Sequence, residues 1–370
     1  MTMEIEPAED QRLLLDTSAR FIDDALPLTA IRALADGAPA DLGHVPAAAE
    51  LGWFAMFVDE SLGGGSVSGD PVTDAVLLAL LRGGRLLPEP FVAGNAVAAA
   101  VAAAGSDAQR RAVLPELAAG KTRATLAVTG DALWGGTTLL AEAAGADLTL
   151  TGSVIVDDAA ADWIVVTALS GEEAVPVLLE TGALPAGRPL ACLDLTRRLE
   201  RITLDGVRVP RTAVLTGAVE RLRTVAALLA VAGTVGALDR LFELTRQYSL
   251  DRFAFGRPIG SFQGLKHLMA DMSAVVESMR AVLAGATRAV AADLPYAAET
   301  VAIANTYAGE RTTRLVQDCQ QVYGGIGFAW EHDLHLYLRR AATDVALYGS
   351  TDFHRGRILA AHAEEWQEAR

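Results

Sequence analysis

Apolar residues change their spacing twice along this chain. Up to about residue 120 they recur at helical intervals among Ala, Leu, Glu and Arg. DAVLLALLRGGRLL (74–87) predicts a helix that Gly83 and Gly84 interrupt late. NAVAAAVAAA (95–104) predicts a small-residue helix suited to close packing. SDAQRRAVLPELAAG (106–120) starts on Ser106 as an N-cap and stops at Gly120. From 121 to 217 the period shortens. TLAVTG, LTLTGSVIV, DWIVVTAL, AVPVLLE and RITLDGVRVP are brief β-branched runs separated by turn residues, which predicts a small, mostly antiparallel sandwich or barrel. From 218 on, helical spacing returns over 218–248, 261–293, 297–322 and 334–348, with breaks at FGRPIG, DLPY and YGGIG. Long helices with short links predict a bundle of about four. The expected fold class is α+β and multidomain, with an N-terminal helical domain (1–120), a middle antiparallel β-domain (121–217) and a C-terminal four-helix bundle (218–370).

Composition narrows the function classes. The 370 residues carry 31 Lys+Arg against 46 Asp+Glu, a formal charge of −15, which argues against nucleic acid as a partner. Cys192 and Cys319 are too few for a disulfide framework and sit in no metal-type cluster, as expected in a reducing cytoplasm. The acidic start MTMEIEPAED has no apolar core of a leader peptide. The longest uncharged apolar run, 225–238, is too short to span a bilayer and predicts a buried helix. The expectation is a cytoplasmic protein with no membrane partner.

Two segments carry candidate chemistry. In YSLDRFAFGRPIGSFQGLKHLMADM (248–272), Arg252 ends a long helix and Gln263 opens the next. A helix start offers free N–H groups and a positive dipole end, and Arg252 adds a planar fork for phosphate oxygens. The pattern suits a diphosphate site, but taken alone it more often marks a surface arginine beside an ordinary turn. In QQVYGGIGFAWEHDLHLYLRRA (320–341), the glycines after Tyr323 let a ligand reach bare backbone amides, or simply stop a helix. His332 and His335 lack third and fourth metal ligands at suitable spacing, so no metal is expected.

Taken together, these motifs resemble the acyl-CoA dehydrogenase family over nearly the whole chain. AAELGWFAMFVDESLGGGS (48–66) looks like that family's LGW…PEEYGG region. RFAFGRPIGSFQ matches R-x-x-FG-x-x-I-x-x-FQ, QVYGGIGF matches Q-x-x-GG-x-G, and WEHDLHLYLRR is similar to a branch found in sterol and other complex-acyl catabolism. The resemblance implies FAD as cofactor, an acyl-CoA or acyl-carrier-protein thioester as substrate, an electron-accepting flavoprotein, and a homo- or heterotetramer. It implies FAD contacts from Arg252, Phe255, Gln263, Gln321, Val322, Gly324 and Gly325. It further implies Ser350 and Thr351 near the diphosphate and Thr129 at the flavin ring edge. The resemblance also implies a pyrophosphate gripped where two protomers meet, by the guanidinium of one and the glycine amides of the other.

The chain also departs from that pattern. The glutamate that serves as base in most members falls at Tyr348, a poor base at neutral pH. The alternative seat on the first bundle helix falls near Ala226. Glu220, Asp344 and Asp352 are the local carboxylates. Asp352 is the substitute base to test, Asp344 is expected to pair with Arg340 one turn back, and Glu220 to cap its helix. The T-E-P loop reads Thr129-Gly130-Asp131, and the family's K-x-W-I-T-N-A stretch has lost its lysine and tryptophan in GSVIVDDAAAD (152–162). Trp134 and Trp163 read as packing residues. The expected activity is FAD-dependent α,β-dehydrogenation of an acyl thioester by a subunit whose partner supplies the glutamate. The alternatives are a diverted enzyme on the same fold and a non-catalytic subunit.

Overall fold

The computed structural model describes residues 5–38, 42–88 and 90–363. The first four residues of the acidic start and the last seven of the expected third domain lie outside the described residues.

Six helices come first: α1 (Glu9–Ala25), α2 (Leu28–Ala35), α3 (Val45–Glu50), α4 (Pro71–Gly84), α5 (Phe91–Ala104) and α6 (Asp107–Ala118). Local chemistry sets their ends. Asp70 caps α4 through Thr73, and Ser106 forms a reciprocal capping box with Gln109 on α6. Gly120 takes φ +64 just past the end of α6.

The strands follow as β1 (Ala124–Thr129), β2 (Leu140–Ala144), β3 (Asp147–Asp157), β4 (Trp163–Ser170), β5 (Glu173–Glu180), β6 (Arg188–Pro189) and β7 (Leu199–Pro210). They form one sheet of order β1-β4-β2-β3-β7-β6, with β5 on β4 and an added antiparallel pairing of β1 with β3. The sheet is mixed: β1 and β2 each run parallel to β4, while the other pairs are antiparallel. Strand β2 reads LAEAA, a helix-like string. It extends because each of its residues pairs with β3 from Leu140↔Thr151 to Ala144↔Asp147.

The third part holds α7 (Val219–Asp251), the hairpin β8 (Phe253–Ala254) and β9 (Arg257–Pro258), α8 (Gln263–Ala291), α9 (Ala297–Tyr323), α10 (Leu334–Asp344) and α11 (Thr351–Ala361). Where about four helices were expected, three long ones pack with two short ones. The expected helix over 334–348 ends at Asp344, and α11 starts at the Ser350 N-cap. By length and composition α7 is apolar enough to cross a membrane, but 78% of its apolar window is buried inside the protein, as in a core helix.

The helices of the first and third parts share one continuous hydrophobic core, whereas the sheet has a second of its own. The seam between α4 and α7 explains the late glycines. A Cβ on Gly83 would strike the Gly233 backbone, and one on Gly236 would strike Leu80. Absent side chains here let two backbones touch, and α7 becomes a wall common to both helical parts.

Candidate functional site

The predicted cofactor residues fall into two groups. The first sits at one end of the bundle. Tyr248, one turn before Arg252, stacks on Tyr323 with ring centroids 4.3 Å apart, and Tyr323 directly precedes Gly324. The end of α7 and the end of α9 therefore lie side by side. Each protomer therefore carries a guanidinium and a glycine turn at the same bundle end.

The chemistry of this end is open. Arg252 caps α7 with its backbone, accepting from Ile259 N at 2.8 Å. Its side chain is exposed and makes no hydrogen bond or ion pair among the described residues. Phe255 is 95% exposed at φ +52, held edge-on to Phe262 at 6.2 Å. Gln263 is the first residue of α8 and exposed. No side chain caps that helix, so its first N–H groups point outward unmet. Gln321 and Gly325 are exposed, and Gly324 adopts φ +61, ψ −141, a conformation that favours glycine. Val322 differs: its side chain is in the core, leaving only its backbone for a ligand. Leu250, Phe253, Ile326, Phe328 and Trp330 surround this end as exposed apolar groups. Exposed hydrophobics gathered in one place mark a contact surface.

The second group lies where the sheet meets α11. Thr129 ends β1, half-buried. The segment before α11 closes onto this strand end, with Tyr348 N donating to Val128 O at 2.9 Å. Tyr348 is 2% exposed and stands edge-on to Trp134 at 5.9 Å, and Trp134 stands edge-on to Phe353 at 6.1 Å. Trp134 Nε1 donates to Ala127 O at 2.7 Å. Ser350 spends its hydroxyl capping α11, and the Thr351 hydroxyl packs against Gly309 of α9. Three aromatic side chains thus pack together near the end of β1.

Neither expected seat of the base holds a carboxylate, and the nearby Asp131, which burial pushes up to about 7, is fully buried and accepts from Leu133 N and Thr167 N. Neither Tyr348 nor its neighbour Gly349 carries a carboxylate, and Ala226 is fully buried. Asp352 is exposed and paired with Arg355 at 2.9 Å, which places it on the outer face of α11 and removes it as a buried base. Glu220 is in the first turn of α7 but bonds Arg223 and Arg357 instead of capping.

Asp344 also departs from expectation. It bonds Arg197 of the sheet region at 2.6 Å instead of Arg340 on its own helix. Arg197 also reaches Asp157 at 2.7 Å and Asp194 at 3.4 Å. Arg340 takes Asp194, Thr196, and the carbonyls of Leu86 and Leu87. Burial pushes Asp194 up, but the two arginines outweigh it and hold the carboxyl below its usual range. Burial dominates at Asp344 and raises it, Arg197 offsetting only part. A cavity of about 40 Å3 remains among Arg82, Leu87, Ala230, Arg197, Asp344 and Tyr348. That is room for about one water, not for an acyl chain.

His354 locks the same turn. It is buried and its Nε2 meets Tyr348 O at 3.1 Å, while Nδ1 has no partner among the described residues. Burial pushes its pKa down to about 4, against the Tyr348 carbonyl, which favours the charged ring. The folded state therefore binds fewer protons than the unfolded chain between the ordinary value of 6.5 and about 4, so stability falls as pH falls through that window. The loss should approach about 3 kcal/mol at pH 4. Urea titrations should show it, and His354→Gln should flatten the profile.

His332 and His335 are used locally. His332 Nδ1 accepts from Leu334 N, and His335 stacks on Trp330 at 4.5 Å.

Comparison with known proteins agrees with this architecture. The N-terminal domain model of acyl-CoA dehydrogenases matches residues 8–121, and the C-terminal domain model matches residues 217–363. The acyl-CoA dehydrogenase IpdE2 of Mycobacterium tuberculosis is 33% identical over 98% of this chain and 99% of its own length. Among solved structures, the ChsE4–ChsE5 complex of M. tuberculosis superposes with a TM-score of 0.88 at 26% identity, covering 98% of this chain and 99% of that one. The Tcur3481–Tcur3483 steroid enzyme variant gives a TM-score of 0.87 at 23% identity, over 97% and 99%. The chain belongs to the acyl-CoA dehydrogenase family of oxidoreductases.

Proposed function

We propose that this chain is one subunit of an FAD-dependent acyl-CoA dehydrogenase and works with a second, non-identical chain of the same family. The partner supplies the flavin ring site, the acyl tunnel and the catalytic glutamate. This chain supplies the nucleotide end of the cofactor site. The observation that carries the reading is the contrast between the two groups: Arg252, Gln263 and Gly325 stand exposed at a bundle end, with Gly324 half-buried beside them and apolar side chains around. By contrast, Trp134, Tyr348 and Phe353 pack together near the end of β1, and neither expected seat of the base holds a carboxylate.

The residues fit FAD in part. Bound FAD would supply the hydride acceptor for dehydrogenation. Arg252 and the start of α8 suit its pyrophosphate, Gln263 suits the adenosine side, and the amides at Gly324 and Gly325 can approach without side chains in the way. Neither expected seat of the base holds a carboxylate, so no chemical step is assigned to this chain's own sheet. Its task is to hold the nucleotide and orient it toward the partner. That the solved relative ChsE4–ChsE5 is a complex of two named proteins supports a two-chain assembly. The substrate is an acyl thioester, electrons leave to an electron-transfer flavoprotein, and the enzyme works in the cytoplasm.

Co-expression with candidate family members tests this. The assembled pair should oxidise acyl-CoA substrates with a dye acceptor, and the lone chain should not. Turnover by the lone chain would contradict the reading. So would a flavin-loaded pair that stays inert after its partner's glutamate is confirmed in place; that result would favour a diverted enzyme.

A further inference from the structure

A concave space of about 830 Å3 opens between α1, the start of α2, α4, α7, α8 and α10. It is separate from both groups described above. Helix α4 turns Leu77, Leu80, Leu81 and Gly84 toward it, and Ala79, Arg82 and Gly83 toward the small cavity beside Tyr348. The two sets are opposite faces of one helix. None of Arg252, Gln263, Gly324 or Gly325 lines it.

Its chemistry is that of a ligand pocket. Leu15, Ile22, Leu77, Leu80, Leu81 and Leu283 form an aliphatic floor. Charged groups stand among them, and most are already neutralised. Arg85 holds Asp23 at 2.9 Å, Arg280 holds Asp239 at 2.6 Å, and Glu243 holds Arg246 at 3.0 Å. Arg240 is the exception. It is exposed and has no carboxylate within ion-pair distance among the described residues. The volume falls in the range of small-molecule sites, which are mostly apolar with a few placed polar groups. The walls are also stiff, because the glycine seam of α4 and α7 leaves no slack for either helix to shift alone.

We propose that this cavity binds a compact hydrophobic molecule carrying one anionic group, with its body on the leucine floor and its anion on Arg240. Ligand binding there clamps α1, α4 and α7 together and raises the melting temperature of the chain.

Anilinonaphthalenesulfonate, fused rings with one sulfonate, is the probe, titrated by fluorescence against the full chain and against its assembled complex. The proposal expects saturable one-site binding in both. It expects roughly tenfold weaker binding in Arg240→Ala, a lost charged contact on an exposed side chain, and no binding in Leu81→Trp, which fills the floor. Leu359→Ser, on the exposed face of α11, should leave binding unchanged. Arg240→Lys, which keeps the charge, should retain most of the affinity. Binding that survives both Arg240→Ala and Leu81→Trp overturns the proposal, as does binding lost in Leu359→Ser. Binding lost on assembly also overturns it, since the face would then be a subunit contact. Circular dichroism identifies a misfolded Leu81→Trp, in which case the Arg240 pair decides alone.

Discussion

Arg197→Ala is expected to destabilise the chain by about 3–5 kcal/mol, the range for breaking a buried ion pair from one side. The side chain is 6% exposed and faces Asp157 and Asp344, themselves 5% and 8% exposed. Removing it strands two carboxylates in a dry interior, and the small cavity beside them cannot hydrate both. Asp344, already pushed up by burial, would then gain a proton on folding, so the variant should recover part of its stability in mildly acidic buffer. Urea unfolding at neutral and mildly acidic pH measures both effects. An unchanged midpoint would show that the network contributes nothing net. The reason to expect otherwise is its position: Arg197 and Arg340 tie the strand region, the α4–α5 connection and α10 together.

Arg252→Ala is expected to lower the FAD affinity of the assembled pair about ten- to a hundredfold. That follows from losing a charge-assisted phosphate contact of roughly 1.5–3 kcal/mol. Folding should be untouched, because the side chain is exposed and makes no contact that the fold uses. Equilibrium dialysis of the deflavinated complex against FAD measures it. Unchanged affinity would mean that the guanidinium does not meet the pyrophosphate.

Much of this end was legible in the sequence because its signals are local. An arginine at a helix end, a Gly/Pro turn, a new helix start and a glycine pair after a tyrosine are each decided within a few residues. The cap and stop of α6 were legible for the same reason: Ser106, Gln109 and Gly120 lie within one helix length. Partners far along the chain were not legible. Asp344 looked committed to Arg340, one helical turn away, but Arg197, separated by 147 positions, takes it. Strand β2 was hidden because Ala and Glu favour helix until β3 supplies a ladder. Helix α11 was masked by the motif at its start, where Ser350 reads as a ligand contact and serves as a cap. The aromatic cluster near the end of β1 depends on Trp134 and Phe353 meeting across more than 200 residues, which no spacing rule anticipates.

The division of labour between two chains stands or falls on counting flavin. Purified complex, quantified by protein and by absorbance of the released cofactor, is predicted to hold one FAD for each pair of unlike chains, and this chain alone to hold none. One FAD per chain, or stable yellow protein from this chain by itself, would contradict the account.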